Sequence, residues 1–351
     1  MESYLPPSWM RSAGALGGNV QTIWPALFGR RFEGQRPLYR RERWTTPDGD
    51  FIDVDWLVDA GAPGPAEGTP GSRGVASTAA HGNASTTRPL LVLFHGLEGS
   101  SRSHYAEAFA HAAGLAGWRY VVPHFRGCSG EINLAARAYH SGDYEEIDWI
   151  LRRLRVAHQG PLLAIGVSLG GNALLRWAEE AGEAAAGIVR AVASVSAPVD
   201  LAAGGAAIGT GFNRLVYTRM FLRTMKPKAL RKLAQHPGLF DRERLLAARN
   251  LYEFDNVFTA PLHGFRDTED YWTRASSKPH LARIRVPALV LNALNDPFVP
   301  AASLPRPGEV GDHVTLWQPP HGGHVGFPAG GWPGHVLTLP QEVMGWLRPR
   351  L

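Results

Sequence analysis

The sequence predicts an α/β fold, a mostly parallel sheet flanked by helices. Two observations carry that prediction. Apolar runs of strand length recur along the chain, as in Leu90-Leu-Val-Leu-Phe94, Trp118-Arg-Tyr-Val-Val122, Pro161-Leu-Leu-Ala-Ile-Gly-Val167 and Val286-Pro-Ala-Leu-Val-Leu-Asn-Ala293. Such runs are buried strands, and strands separated by helices pair in parallel. The second observation is size and composition. With 351 residues and 44% hydrophobic content, the chain can bury a large core as one domain, 1–351. Only 19% of residues are charged, which excludes a disordered chain.

The elements follow in order. Up to about Arg43 the chain is rich in Pro, Gly and Trp and reads as an irregular arm. In Phe51-Ile-Asp-Val-Asp-Trp56, apolar Ile52, Val54 and Trp56 alternate with Asp53 and Asp55, the pattern of a half-buried strand. Residues 59–88 are dominated by Gly, Ala, Pro, Ser and Thr and are expected to form a flexible surface loop. The α/β core then runs from Leu90 to Ala197. Its first strand ends in His95-Gly-Leu-Glu-Gly99, and the next runs into His124-Phe-Arg-Gly-Cys-Ser-Gly-Glu131, where Arg126 and Glu131 are expected to pair. Asp143-Tyr-Glu-Glu146 has capping-box chemistry and opens a helix with Ile147, Ile150, Leu151 and Leu154 on one face.

Next comes the most telling segment. The strand 161–167 turns directly into a helix at Ser168, with Gly166 two residues before the serine and Gly170 two after. This is the G-x-S-x-G elbow, in which a strained turn lifts a serine hydroxyl above the sheet and the flanking positions must be minimal. The helix that follows aims its N-terminus at the place where negative charge would develop. Ser168 is therefore the candidate nucleophile. The backbone N–H of Leu169, just after it, and that of Leu97, in the loop after the first core strand, are the candidate oxyanion donors.

Residues 199–284 interrupt the pattern between the predicted sixth and seventh strands and are expected to form a helical cap. Within it, Phe212 to Leu233 carries Arg214, Arg219, Arg223, Lys226, Lys228, Arg231 and Lys232 and no acid. This run reads either as a cap face that makes peripheral contact with anionic lipid or an acidic substrate, or as a solvated helix face balanced by Asp241, Glu243, Glu253 and Asp255. The solvated face is favoured.

Asp296 follows the strand-like run 286–293, in Leu294-Asn-Asp-Pro-Phe-Val-Pro300. Loops at strand ends are where catalytic side chains are presented, so Asp296 is the candidate acid, with Asp200 as its rival. Val314-Thr-Leu-Trp317 leads into Pro319-Pro-His-Gly-Gly-His-Val-Gly-Phe327, where His324 is the candidate base and His321 its rival. A metal site at the two histidines is disfavoured, since no Cys or acidic cluster accompanies them. The order serine, acid, histidine is that of an α/β-hydrolase fold.

These motifs, with Asn19-Val-Gln-Thr22, Pro47-Asp-Gly-Asp-Phe51, Tyr139-His-Ser-Gly142 and Glu253-Phe-Asp255, span nearly the whole chain. Together they resemble the YheT-like, abhydrolase-1/3 family of α/β-hydrolases in its bacterial branch. The resemblance implies a Ser-Asp-His hydrolase with triad Ser168, Asp296 and His324, acting on small-molecule or lipid esters. The 59–88 stretch is longer than the family suggests and lies away from every motif.

Three readings follow: a carboxylic-ester hydrolase, an acyltransferase or lyase on the same scaffold, or a binding protein with a relic triad. The intact set of residues disfavours the last. No metal or organic cofactor is implied. The lone cysteine, Cys128, allows no internal disulfide and is expected to be a buried structural thiol. The N-terminal stretch shows no signal-peptide pattern, and no apolar run reaches the roughly 18 residues of a membrane span. A cytoplasmic protein is expected. A net charge of +5 with no nucleic-acid motif makes nucleic acid an unexpected partner.

Overall fold

The computed structural model describes residues 4–11, 16–58 and 87–351. Of the expected loop 59–88, residues 59–86 lie outside the described residues. The strands are β1 (Tyr39–Thr45), β2 (Phe51–Leu57), β3 (Leu90–Phe94), β4 (Arg119–Pro123), β5 (Leu162–Val167), β6 (Ala191–Val195), β7 (Ala288–Leu291) and β8 (Val314–Trp317). They form one sheet in the order β1-β2-β4-β3-β5-β6-β7-β8. β1 and β2 are antiparallel at one edge, and β3 to β8 run parallel. The mostly parallel sheet predicted from the sequence is therefore present.

Strand alternation divides the core between two layers. Leu90, Val92 and Phe94 of β3 face helices α3 (Tyr144–Ala157) and α4 (Leu169–Ala181), where Ile147, Ile150, Leu151 and Leu154 are buried as predicted. Leu91 and Leu93 face α2 (His104–Leu115) and the C-terminal helix Thr338–Leu347. The predicted capping box is not made. Asp143 forms no cap bond to α3 and pairs with Arg137 instead.

Three further expectations change. The N-terminal arm is not irregular: it contains helix α1 (Gly17–Phe28) and strand β1. Gly17, Gly18 and Pro25 give α1 poor intrinsic propensity, so tertiary packing holds it rather than local preference. β2 is not half-buried, because Asp53 and Asp55 are only 2% and 3% exposed. The β1 register places Arg43 opposite Asp53 and Arg41 opposite Asp55, and each pair closes at 2.7 Å. Burial by itself would raise the pKa of Asp55, but Arg41, His124 and Ser101 hold it well below the usual carboxylate range. Finally, Arg126 does not pair with Glu131. It meets Glu146, Asp48 and Asp50, while Glu131 pairs with Arg43.

Between β6 and β7 the chain forms helices only, among them α5 (Leu201–Ile208), α6 (Arg219–Gln235), α7 (Arg242–Ala247), α8 (Leu251–Val257) and α9 (Thr268–Ala275). A π-helical turn over Arg214–Thr218 leads into α6. Asn172 of α4 anchors the far end of this insertion: its amide donates to Ala275 O and accepts from Ser277 N. The strand order reverses direction between β3 and β5, so the loops after these two strands flank one crevice, the usual place for a ligand in an open α/β sheet.

Candidate active site

Ser168 lies between β5 and α4 with φ 54° and ψ −120°. A non-glycine residue in this region is strained, and the surroundings must enforce it. Ser168 N–H donates to Val195 O at 2.8 Å, which ties the turn to β6. The neighbouring glycines are required by close approach. A Cβ at Gly166 would stand 2.2 Å from Gly170 O, and one at Gly170 would stand 2.5 Å from both Phe94 O and His95 O. The β3–β5 register, with Phe94 opposite Gly166, creates that crowding.

Above the turn, Ser168 Oγ is 2.9 Å from His324 Nε2, and His324 Nδ1 is 2.8 Å from Asp296 Oδ2. Asp296 is buried, and its other oxygen accepts the Phe298 N–H at 2.8 Å. The ring of Phe298 packs on His324 at 4.2 Å between centroids. The structure thus brings Ser168, Asp296 and His324 together from three loops. Neither rival joins them: Asp200 N-caps α5 through a bond from Ala203 N, and among the described residues it is His324, not His321, that is hydrogen-bonded to Ser168 and Asp296.

The loop after β3 is held on every side. His95 is fully buried, and burial, with His124 nearby, pulls its pKa down to about 3. The neutral ring bridges two loops, with Nδ1 at 2.8 Å from Gly96 O and Nε2 accepting from Phe125 N. Tyr105 accepts from Gly96 N, and Tyr139 accepts from Glu98 N. Leu97 and Leu169 line the same cleft as Ser168, and no protein acceptor is found for the N–H of either among the described residues. Two uncommitted donors near a serine hydroxyl can receive a developing oxyanion.

The sequence reading missed α1 as part of this site. Thr22 Oγ1 accepts the His324 backbone N–H at 2.8 Å, and Gln21 Oε1 accepts from Gly322 N and Asn295 Nδ2. A Cβ at Gly326 would fall 1.7 Å from Gln21 O, so that glycine admits the helix. The signal was present in Val20, Ile23, Trp24 and Leu27, which have helical spacing, but the adjoining glycines and proline masked it.

The cleft, together with open solvent at its mouth, spans about 1110 Å³. Its floor includes Leu97, Ser168 and Leu169, and the insertion supplies apolar walls from Leu201, Ile208, Phe221, Met225, Phe254 and Phe258. Polar groups also sit in these walls, among them Lys228, Lys232, Asp255 and Thr259. Lys228 pairs with Glu98 at 2.9 Å, and Asp255, raised to about 6 by burial, accepts from Thr259 and Trp272. Cys128 lies beside Lys228; it is part-buried rather than fully buried as expected, and desolvation pushes its pKa up to about 12. Among the described residues, no group of three or more His, Cys, Asp or Glu is placed to hold a metal ion.

Residues 89–330 match the Abhydrolase_1 family model, which describes the alpha/beta hydrolase fold. Over 332 residues the chain is 39% identical to YheT of Escherichia coli strain K12, a protein that carries an esterase name, with 94% of this chain and 89% of that one covered. It is 30% identical to the phospholipase ABHD3 of Bos taurus, covering 87% of this chain and 70% of the relative. Among solved structures, Est1E from Butyrivibrio proteoclasticus with ferulic acid bound shares the fold at a TM-score of 0.52 and 13% identity, over 89% of this chain and 98% of Est1E.

Proposed function

This chain belongs to the Abhydrolase_1 family of α/β-hydrolases, and on that premise we propose that it hydrolyses carboxylic esters with Ser168 as nucleophile, His324 as base and Asp296 as acid. The observation that carries the reading is the continuous Ser168–His324–Asp296 hydrogen-bond chain, at 2.9 and 2.8 Å. Ser168 Oγ attacks the acyl carbon as His324 Nε2 takes its proton. Asp296 accepts the Nδ1–H, fixing the tautomer and stabilising the imidazolium. The Leu97 and Leu169 N–H groups bind the tetrahedral oxyanion. His324 then protonates the departing alcohol. Water, deprotonated by His324, attacks the acyl-enzyme and releases the acid.

The insertion 199–284 is read as the cap. Its walls, mostly apolar, suit a short- to medium-chain acyl group or a lipid ester. Acyl transfer to an alcohol is the second reading, and it requires that these apolar walls keep water from the acyl-enzyme. A cytoplasmic location completes the proposal and rests on the lone cysteine, Cys128, which allows no internal disulfide. Among the described residues no helix is long and apolar enough to cross a membrane. The test is a chain-length series of p-nitrophenyl esters beside a lipid panel, with and without added glycerol, together with labelling by a fluorophosphonate probe. Hydrolysis and labelling that both vanish in Ser168→Ala support the reading. An unlabelled wild type overturns it. Glyceride products formed faster than free acid select acyl transfer.

A further inference from the structure

We propose that the outer face of the segment 212–231 docks on an anionic membrane surface. Between Gly211 and Gln235 the chain has seven Lys and Arg and no acid. The fold sorts these seven by type. The lysines are engaged within the protein: Lys226 donates to Leu246 O at the surface, Lys228 pairs with Glu98, and Lys232 donates to the carbonyls of Asn133 and Ala135. The arginines Arg214, Arg219, Arg223 and Arg231 are exposed, and none is in an ion pair among the described residues.

Among these arginines stand Phe212, Leu215 and Met220, exposed by 45%, 58% and 52%. Tyr217, Thr218, Leu222 and Ala229 are buried on the opposite side. The acids that could have neutralised this face are engaged elsewhere. Asp241 caps α7, Glu243 meets Arg242, Glu253 accepts from Arg249 N and Asn250 Nδ2, and Asp255 is buried against Thr259 and Trp272. Glu253 also attracts Lys226, which is already bonded to Leu246 O.

The chemistry of this face selects its partner. Arginine forks bind phosphate oxygens bidentately, and apolar side chains between them can enter the headgroup and acyl boundary. An acidic polypeptide would satisfy the arginines but leave the three apolar side chains without a matching surface. Val156 provides a contrast. It is 89% exposed and also lies among arginines, but Arg152 is held by Asp148, Arg153 lies over Trp44, and Arg155 reaches the His158 carbonyl. Those arginines are committed; the four on the insertion are not.

The inner side of the same helix lines the cleft through Phe221 and Met225. Docking would therefore set the wall of the cleft against the lipid surface. This deepens the ester-hydrolase reading, on which it rests for the nature of the substrate, but docking itself is measured without catalysis.

The experiment is sedimentation of the full chain with phosphatidylcholine vesicles, with and without about 30% phosphatidylglycerol, at low and high salt. Binding is expected only with phosphatidylglycerol, and salt should weaken it. Arg214→Gln/Arg219→Gln/Arg223→Gln and Phe212→Ser/Leu215→Ser/Met220→Ser should each weaken binding at least about tenfold. Val156→Ser should bind as wild type. All three variants should melt as wild type does and hydrolyse a soluble short-chain ester at the wild-type rate. A wild type that ignores the vesicles, or triple variants that bind unchanged, would overturn the proposal. So would retention on a polyglutamate resin without vesicle binding, which would assign the face to an acidic polypeptide. A wild type that binds vesicles but hydrolyses no ester defeats the function reading alone.

Discussion

In the sheet-borne core, Ser168, Asp296 and His324 meet from three loops, and each loop is fixed by backbone-directed bonds: Val195 O for Ser168, Phe298 N for Asp296, Thr22 Oγ1 for His324. In the helical insertion between β6 and β7, the residues facing the same cleft are mostly apolar, and they belong to small separate clusters around Phe254, Tyr271 and Tyr217. The core fixes directions, and the insertion supplies volume. Under the proposed function this difference would assign chemistry to one region and selectivity to the other, because hydrogen-bonded geometry must hold to a fraction of an ångström, whereas apolar walls can repack.

The sharpest way to break that division is at Ser168. Ser168→Ala should lower kcat for ester hydrolysis by at least about 10⁴ without changing the melting temperature. Retention of more than about a hundredth of the rate would remove Ser168 as nucleophile. Asp296→Asn should come next, with a loss on the order of 10⁴ in kcat, because it favours the wrong imidazole tautomer. Asp200→Asn should cost little, because Asn can keep the cap bond from Ala203 N. His324→Ala should behave like Ser168→Ala, while His321→Ala keeps most of the activity. If either pair exchanged phenotypes, the map of the core would be wrong.

The α1 brace gives an intermediate effect. Thr22→Val removes the acceptor of the His324 N–H at nearly constant volume. It should lower kcat by roughly 10- to 100-fold with KM nearly unchanged, since it misplaces a reacting group without touching the cleft walls. A change confined to KM would mean that α1 acts on binding instead. The insertion should respond in the opposite way. Phe221→Ala enlarges the cleft and should change KM across the ester series, by about tenfold between short and long acyl chains, while kcat for the preferred chain stays within a few-fold. A uniform loss of kcat at all lengths would mean that the insertion also takes part in the chemistry.

The smallest effect is the pH dependence of stability, and its sign differs between the regions. His95 in the core is neutral when folded, with its pKa pulled down to about 3. The unfolded chain binds the proton near pH 6.5, so this contribution is complete above that pH and is lost as pH falls toward 3. Asp255 in the insertion is raised from 3.8 to about 6. Its contribution is complete below pH 3.8 and is lost as pH rises through about 6. Hydrogen exchange corrected for intrinsic rates should show protection of residues 251–275 falling from pH 4 to 6.5. Protection around residues 95–125 should rise over the same range. Asp255→Asn should abolish the first trend and leave the second.

Much of this design could be read along the chain. The parallel strands are apolar runs, the elbow is five consecutive residues, and Asp296 and His324 each follow a strand in the order that an α/β-hydrolase requires. These are local signals: a strained turn needs its glycines nearby, and a buried strand needs its own apolar residues. The sequence by itself therefore determined the fold class and the three residues that meet.

Tertiary structure decided what holds them. The Thr22 bond to His324 spans 302 positions, and the Gln21 bond to Gly322 spans 301, so no local pattern could announce them. The burial of Asp53 and Asp55 depended on the arginines of β1, brought opposite only by strand register. Arg126 passed over the nearby Glu131 for Asp48, Asp50 and Glu146, because a buried guanidinium takes the carboxylates that the fold surrounds it with. In each case the residue types were visible from the start, but their partners were set by long-range packing, where a charge or a backbone N–H removed from water must find a complement wherever the chain has placed one.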